Sequence, residues 1–250
     1  MSRSTASTEQ TEQTETPGRQ RGHKHRVFLI DDHPVCRHGM AQLINSETDM
    51  VVCGEAESAK QALPVIRTTR TDAALLDITT QGAEGITTIK TLHGEHPVIP
   101  ILVISTQDES VYALRALRAG AQGYITKREG LNQFLGAVRK VLNGQIYLNP
   151  AFGEQLIAQL ARGEETTERG PLDRLSDREL EVLQRVGAGE GTKEIAEHLG
   201  VSHKTVESHR LHIKEKLGLK NASEMVRFAA NWVTSQGGVS RARESKPEGK

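Results

Sequence analysis

Residues 98–127, VIPILVISTQDESVYALRALRAGAQGYITK, decide the fold. An apolar run of strand length, VIPILVIS, gives way to SVYALRALRAG, which has helical length and period, and then to a second short apolar run, GYIT. That succession is the βαβ unit of a parallel sheet buried on both faces. It repeats along the chain. RVFLID, MVVCGEA and DAALLD precede it as apolar runs, and VCRHGMAQLIN, SAKQALPVIRTT, GITTIKTLH and LNQFLGAVRKVLNG fill the helical intervals. An α/β domain of (βα)5 doubly wound type is therefore expected over 25–145, with Pro64 kinking or shortening its second helix.

In sheets of this kind the ligand site lies beyond the carboxyl ends of the strands. Asp31 and Asp32 end the first run, Asp77 the third and Ser105 the fourth, while Lys127 follows the fifth. One sheet edge thus gathers three carboxylates, a hydroxyl and an ammonium. Three carboxylates repel one another unless a divalent cation sits among them, and an all-oxygen set suits Mg²⁺. With that charge neutralised, one Asp can attack a phosphoryl group and form an acyl phosphate, and the lysine can pair with the phosphoryl oxygens. A single Asp at a strand end is more often a turn residue. The joint order of all five is what points to chemistry.

Beyond residue 150 strand character is lost, RGEETTERGPL reads as a polar linker, and the linker as a whole is assigned to 146–171. From Ser176 the pattern is helical. Ser176-Asp-Arg-Glu179 is a capping box, Asn221-Ala-Ser-Glu224 can open the last helix in the same way, and KEIAEHLG stops at Gly200 before Ser202 caps HKTVESHRLHIKEKLG. Two short helices separated by Gly-Val-Ser make a helix-turn-helix within an all-α unit over 172–236. Val206, Ile213 and Leu217 form a stripe expected to pack on Ile195, Ala196 and Leu199, which leaves Lys204, Thr205, Ser208, His209, Arg210, His212 and Lys216 outward in varying degrees. Cations and small hydroxyls suit phosphate oxygens and groove edges, although the charges alone also fit a solvated basic helix. His209 and His212 lie one turn apart, but no Cys or further carboxylate completes a metal set.

Composition agrees with a two-domain soluble protein. The chain has 250 residues, 36% hydrophobic, 26% charged and only 3% aromatic, so its cores rest on Leu, Ile, Val and Ala. No apolar run approaches the roughly 20 residues of a membrane helix, and the first residues lack the order of a secretion signal, so a cytoplasmic location without membrane contact is expected. Cys36 and Cys53 form no CxxC pair, which argues against a disulfide framework or a zinc knuckle. Net charge is zero but uneven: residues 173–197 hold seven acidic against four basic side chains, and residues 198–227 hold six Lys/Arg against three Glu. Residues 1–24 and 237–250, poor in apolar side chains, are expected to be disordered tails.

FLIDDHPVCRHGM, ALLDITTQGAEG, ILVIS and GAQGYITK closely resemble the receiver domain of two-component response regulators over roughly 26–144. The resemblance implies Asp31 and Asp32 as metal ligands, Asp77 as phosphoacceptor, the Thr79 carbonyl as a further ligand, Ser105 as switch hydroxyl, Tyr124 as switch aromatic and Lys127 as phosphoryl partner. Where that family usually carries Met-Pro, this chain has Thr80-Gln81, which implies a looser metal loop and slower phosphorylation. The stretch from LSDRELEVL to SEMVRFA resembles the four-helix output domain of the LuxR, NarL and FixJ class. By that resemblance the helix from His203 to Leu217 enters the major groove of double-stranded DNA, and the last helix serves a homodimer formed on phosphorylation by a sensor histidine kinase. Lys204, Thr205, His209 and Arg210 are the phosphate-contact candidates; Glu207, Ser208 and Leu211 sit where base readers are expected, and Lys214 extends the same face. A carboxylate such as Glu207 can accept a hydrogen bond from the cytosine amino group. Two rivals remain at this point: a metal-dependent phosphohydrolase using Asp77, disfavoured because Thr79 stands where a second Asp is wanted, and a constitutive DNA-binding protein whose receiver is only a scaffold.

Overall fold

The computed structural model describes residues 24–78, 82–162 and 170–238. Thr79, Thr80 and Gln81, and nearly all of both expected tails, lie outside the described residues. In chain order the first elements are β1 (His25–Ile30), α1 (Pro34–Ser46), β2 (Met50–Ala56), α2 (Ala59–Ile66), β3 (Ala73–Asp77), α3 (Gly82–Glu95), β4 (Ile101–Ser105), α4 (Glu109–Arg118), β5 (Gly123–Thr126) and α5 (Leu131–Leu142). All neighbouring strands pair in parallel, in the order β2-β1-β3-β4-β5. Alternation along the strands divides the core. Val27, Leu29, Leu75, Leu102 and Ile104 face α1 and α5 through Ala41, Ile44, Phe134, Ala137 and Val138. Phe28, Ile30, Ala74, Leu76, Ile101 and Val103 face the other layer through Ala62, Ile66, Ile89, Leu92, Ala113 and Ala116. Pro64 sits inside an α2 of only 8 residues.

One strand starts later than its apolar run suggested. Pro100 has no N–H to give to a ladder, Ile99 N–H turns back to His96 O at 3.0 Å, and Val98 is 89% exposed, so β4 begins at Ile101.

The stretch expected as linker contains α6 (Pro150–Ala161), with Asn149 Oδ1 accepting from Ala151 N and Phe152 buried. Tyr147 adds a bridge to the β5 edge, its O accepting from Tyr124 N at 2.9 Å and its N–H donating to Gln122 O at 3.0 Å. A short 3-10 turn (Pro171–Arg174) leads into α7 (Asp177–Gly187), α8 (Thr192–His198), α9 (His203–Leu217) and α10 (Ala222–Gly238).

Capping residues set these helices where the sequence placed them. Ser176 N–H donates to Glu179 Oε2 at 2.7 Å and Glu179 N–H to Ser176 Oγ at 3.3 Å, closing the box on α7. Ser202 Oγ accepts from Thr205 N at 3.1 Å, and α9 ends on Gly218 at φ 66°, where a side chain would be strained. Val206 and Ile213 are fully buried against Ile195, Ala196 and Leu199. The same apolar cluster runs without a break from the α3–α4 layer into α7–α10, so the helical unit is packed on the sheet domain.

Candidate phosphoacceptor site and nucleic-acid interface

Three strand ends build the acidic pocket. Asp31 follows β1, Asp77 closes β3 opposite Ile104, and their side chains are 0% and 1% exposed; Asp32 stands further out at 39%. Lys127 reaches back from the end of β5, its Nζ 2.6 Å from Asp77 Oδ2 and 3.1 Å from Asp31 Oδ2. Burial alone would pull the lysine pKa down, but the hydrogen bonds and charges of Asp77 and Asp31 outweigh it and hold the ammonium above its usual value. Lys127 thus pairs with two of the three carboxylates, and an oxygen from each of Asp31, Asp32 and Asp77 fits within 4.8 Å of the others. This donor set fits a divalent cation, which would offset the remaining negative charge.

Ser105 is wholly buried, its Oγ accepting from Gln107 N at 3.0 Å and its O accepting from Lys127 N at 2.7 Å. Tyr124 is also wholly buried, with its hydroxyl donating to Gln107 O at 3.1 Å; burial drives its phenol far above the usual range. The expected switch pair therefore meets at one short segment, residues 105–107, beside the pocket. The Thr79 carbonyl falls outside the described residues. His33 was not singled out by the sequence, yet its Nδ1 stands 2.8 Å from Asp32 Oδ1. Its position directly after the aspartate pair was the available signal.

Behind the pocket, Glu109 opens α4 and its Oε1 accepts from Asn149 N at 2.9 Å, tying α4 to the residue that caps α6. Burial pushes its carboxyl up to about 7, opposed by the Asn149 hydrogen bond and reinforced by the Glu129 and Asp108 charges. A carboxyl raised in the folded state contributes stability that is complete below its unfolded value and is lost as pH rises through about 7. Between pH 5 and pH 8 the Glu109→Gln variant should lose less stability than the wild type in denaturant unfolding. Parallel pH profiles for the two proteins would contradict this.

On the helical unit, Lys204, Glu207, Ser208 and Leu211 are exposed on α9, while Thr205, Arg210 and Lys214 are half-buried. All seven belong to the expected set. Thr192 at the start of α8 donates its hydroxyl to Glu207 Oε1 at 2.8 Å and accepts from Arg210 Nη1 at 3.1 Å, so these two side chains are held in fixed positions. His209 is half-buried, and burial lowers its pKa from the usual histidine value. Lys216, on the same helix, turns inward: its Nζ lies 2.6 Å from Oε2 of the buried Glu179. Burial alone would raise Glu179, but Lys216 and Ser176 hold it below the usual carboxylate range.

Contacts between the two units were not legible in the sequence. Arg115 of α4 donates to Asp177 Oδ1 at 3.0 Å and to Leu172 O at 2.8 Å, Lys90 of α3 lies 3.4 Å from Asp177 Oδ2, and the Tyr112 hydroxyl donates to Gln184 Oε1 at 3.3 Å. These contacts cover α7 and leave the outer residues of α9 exposed.

A parallel five-stranded sheet with an acidic pocket beyond its carboxyl edge, joined to a four-helix unit with a helix-turn-helix, defines the response-regulator class. Comparison with known proteins agrees: the response regulator receiver domain matches residues 27–139 and the bacterial regulatory proteins of the luxR family match residues 173–229. Oxygen regulatory protein NreC of Staphylococcus carnosus (strain TM300) is 34% identical over 208 residues, covering 82% of this chain and 96% of that protein. A LuxR-family two-component response regulator from Aurantimonas sp. SI85-9A1 is 29% identical with a TM-score of 0.51, covering 56% of this chain and 99% of that one. RcsB from Salmonella enterica serovar Typhimurium, solved bound to promoter P1flhDC in the presence of phosphomimetic BeF3⁻, shares the fold at a TM-score of 0.61 and 22% identity, covering 84% of this chain and 100% of that one. The chain belongs to the NarL/FixJ family of response regulators. It is a phosphorylation-dependent transcription regulator and not an enzyme in the usual sense, which displaces the phosphohydrolase reading. No helix among the described residues is long and apolar enough to cross a membrane.

Proposed function

We propose that this chain works in the cytoplasm, that Asp77 is the phosphoacceptor, and that its phosphorylation by a sensor histidine kinase licenses a homodimer to bind double-stranded DNA through α9. The observation that carries the reading is the Asp77 carboxylate itself, buried at the end of β3 and engaged by Lys127 Nζ at 2.6 Å. A bond forms between an Asp77 carboxylate oxygen and phosphorus while the bond from phosphorus to the donor's imidazole nitrogen breaks, its electron pair leaving with that nitrogen. Asp31, Asp32 and Asp77 would hold Mg²⁺, which would offset the negative charge of the incoming phosphoryl oxygens. Lys127, already within hydrogen-bond reach of the acceptor, shifts its ammonium to the new phosphoryl oxygens. Ser105, at the end of the adjacent strand, offers its hydroxyl to the same group, and Tyr124 couples that movement to the α4–β5 face. Arg115 and Tyr112 on α4 hold α7, so a shift of this face alters the grip on the helical unit.

On DNA, Lys204, Thr205, His209, Arg210 and Lys214 approach phosphates, and Glu207, Ser208 and Leu211 face base edges. The test is Asp77→Asn incubated with acetyl phosphate and Mg²⁺, followed by intact mass. The wild type should gain one phosphoryl group and the variant none, and undiminished incorporation would overturn the assignment.

A further inference from the structure

The carboxylates of the pocket do not act alone. His33 is the N-cap residue of α1, at φ −90° and ψ 104°, and Pro34 follows it, which restricts its backbone to the extended region. Its N–H donates to Asp31 Oδ1 at 2.7 Å, a second constraint on the direction of its side chain. The ring places Nδ1 at 2.8 Å from Asp32 Oδ1, 3.4 Å from Asp31 Oδ1 and 3.7 Å from Asp77 Oδ2. All three carboxylates converge on one imidazole nitrogen. One donor atom from each of Asp31, Asp32, His33 and Asp77 lies within 4.8 Å of the other three, a separation that a single ion can span.

An all-oxygen set suits Mg²⁺, which dehydrates reluctantly and favours carboxylate, carbonyl and water. An imidazole nitrogen is softer, and its addition raises affinity most for later first-row ions in the Irving–Williams order. We propose that His33 is a fourth protein ligand of this site through Nδ1, and that it tilts the site from Mg²⁺ towards Mn²⁺ and the later divalent ions. The proposal rests on the reading of Asp31, Asp32 and Asp77 as a cation site and adds to it the one nitrogen donor among the described residues of the cluster. The restricted backbone at His33-Pro34 limits the main-chain entropy lost when the side chain coordinates.

Metal binding to the full chain tests this without reference to phosphorylation. Mn²⁺ is titrated and the free ion followed by electron paramagnetic resonance, with Mg²⁺ measured by competition, for the wild type, His33→Ala and His33→Phe, the last of which keeps a ring in place. The ratio of Mn²⁺ to Mg²⁺ affinity should fall roughly tenfold in both variants, the scale expected when a group supporting a bound metal is lost. Spin-echo modulation from ¹⁴N should be present on Mn²⁺ bound to the wild type and absent in both variants. An unchanged ratio without ¹⁴N modulation would overturn the inference while leaving the carboxylate site intact. Tighter binding of both ions in His33→Ala would overturn it too, because the imidazole would then be a competitor of the metal. If the wild type binds neither ion, the cation site itself fails and the inference falls with it.

Discussion

Lys127→Ala is expected to lower the stability of the cation-free protein by about 3–5 kcal/mol, the range for removing one partner of a buried ion pair. The Asp31 and Asp77 side chains are 0% and 1% exposed, and Lys127 is itself only 18% exposed, so loss of the ammonium leaves two buried carboxylates with much of their charge uncompensated. Millimolar Mg²⁺ should restore part of the loss, because the ion meets the same two carboxylates and binds only the folded chain. Denaturant unfolding with and without Mg²⁺ gives both numbers. A variant as stable as the wild type without cation would mean that the pocket does not depend on Lys127 for charge balance.

The second large effect lies in the helical unit. Glu179 serves two purposes with one carboxylate: it closes the capping box of α7 at Ser176 N and pairs with Lys216 of α9 at 2.6 Å. Glu179→Ala removes a cap worth about 1 kcal/mol and a charged hydrogen bond worth ~1.5 kcal/mol after allowance for the part-exposed lysine. A loss of about 2–3 kcal/mol should follow, which for a unit of this size lowers its melting temperature by roughly 10 °C or more. Lys216→Met should reproduce only the pairing part of that loss, ~1.5 kcal/mol. Equal effects from the two substitutions would show that the capping box contributes nothing.

The sheet was legible because its strands are buried on both faces and so read as unbroken apolar runs between helical intervals; ILVIS and AALLD coincide with β4 and β3. The pocket was legible for a related reason. Its groups all sit at strand ends, so sequence order alone brought Asp31, Asp77, Ser105 and Lys127 to one edge. Local signals also served the helical unit, where caps at Ser176 and Ser202 and the stop at Gly218 are short-range chemistry.

What could not be read depends on partners distant in sequence. Arg115 and Asp177 meet across 62 positions, and nothing in either helix says which face the other presents. Lys216 follows the pattern of an outward cation on α9, and only the place of Glu179 beneath it turns it inward. The early part of the linker carried a signal that its polar later part hid: Asn149-Pro150 is a cap followed by a proline suited to a first helical turn, and Phe152 is the anchor. His33 was passed over because a histidine after an aspartate pair has no periodicity to mark it, and only the folded turn shows its nitrogen facing the carboxylates.

The central claim is that charge placed on Asp77 governs DNA binding by α9 more than 100 residues away. Its most direct test is the affinity of the full chain for a selected DNA site at one fixed salt concentration, measured with and without stable phosphoryl mimicry by beryllofluoride, in the wild type and in Asp77→Asn. The account predicts tighter binding by the treated wild type and no response in the variant. Equal affinity of the wild type in both states would contradict it and make the receiver a scaffold for constitutive binding.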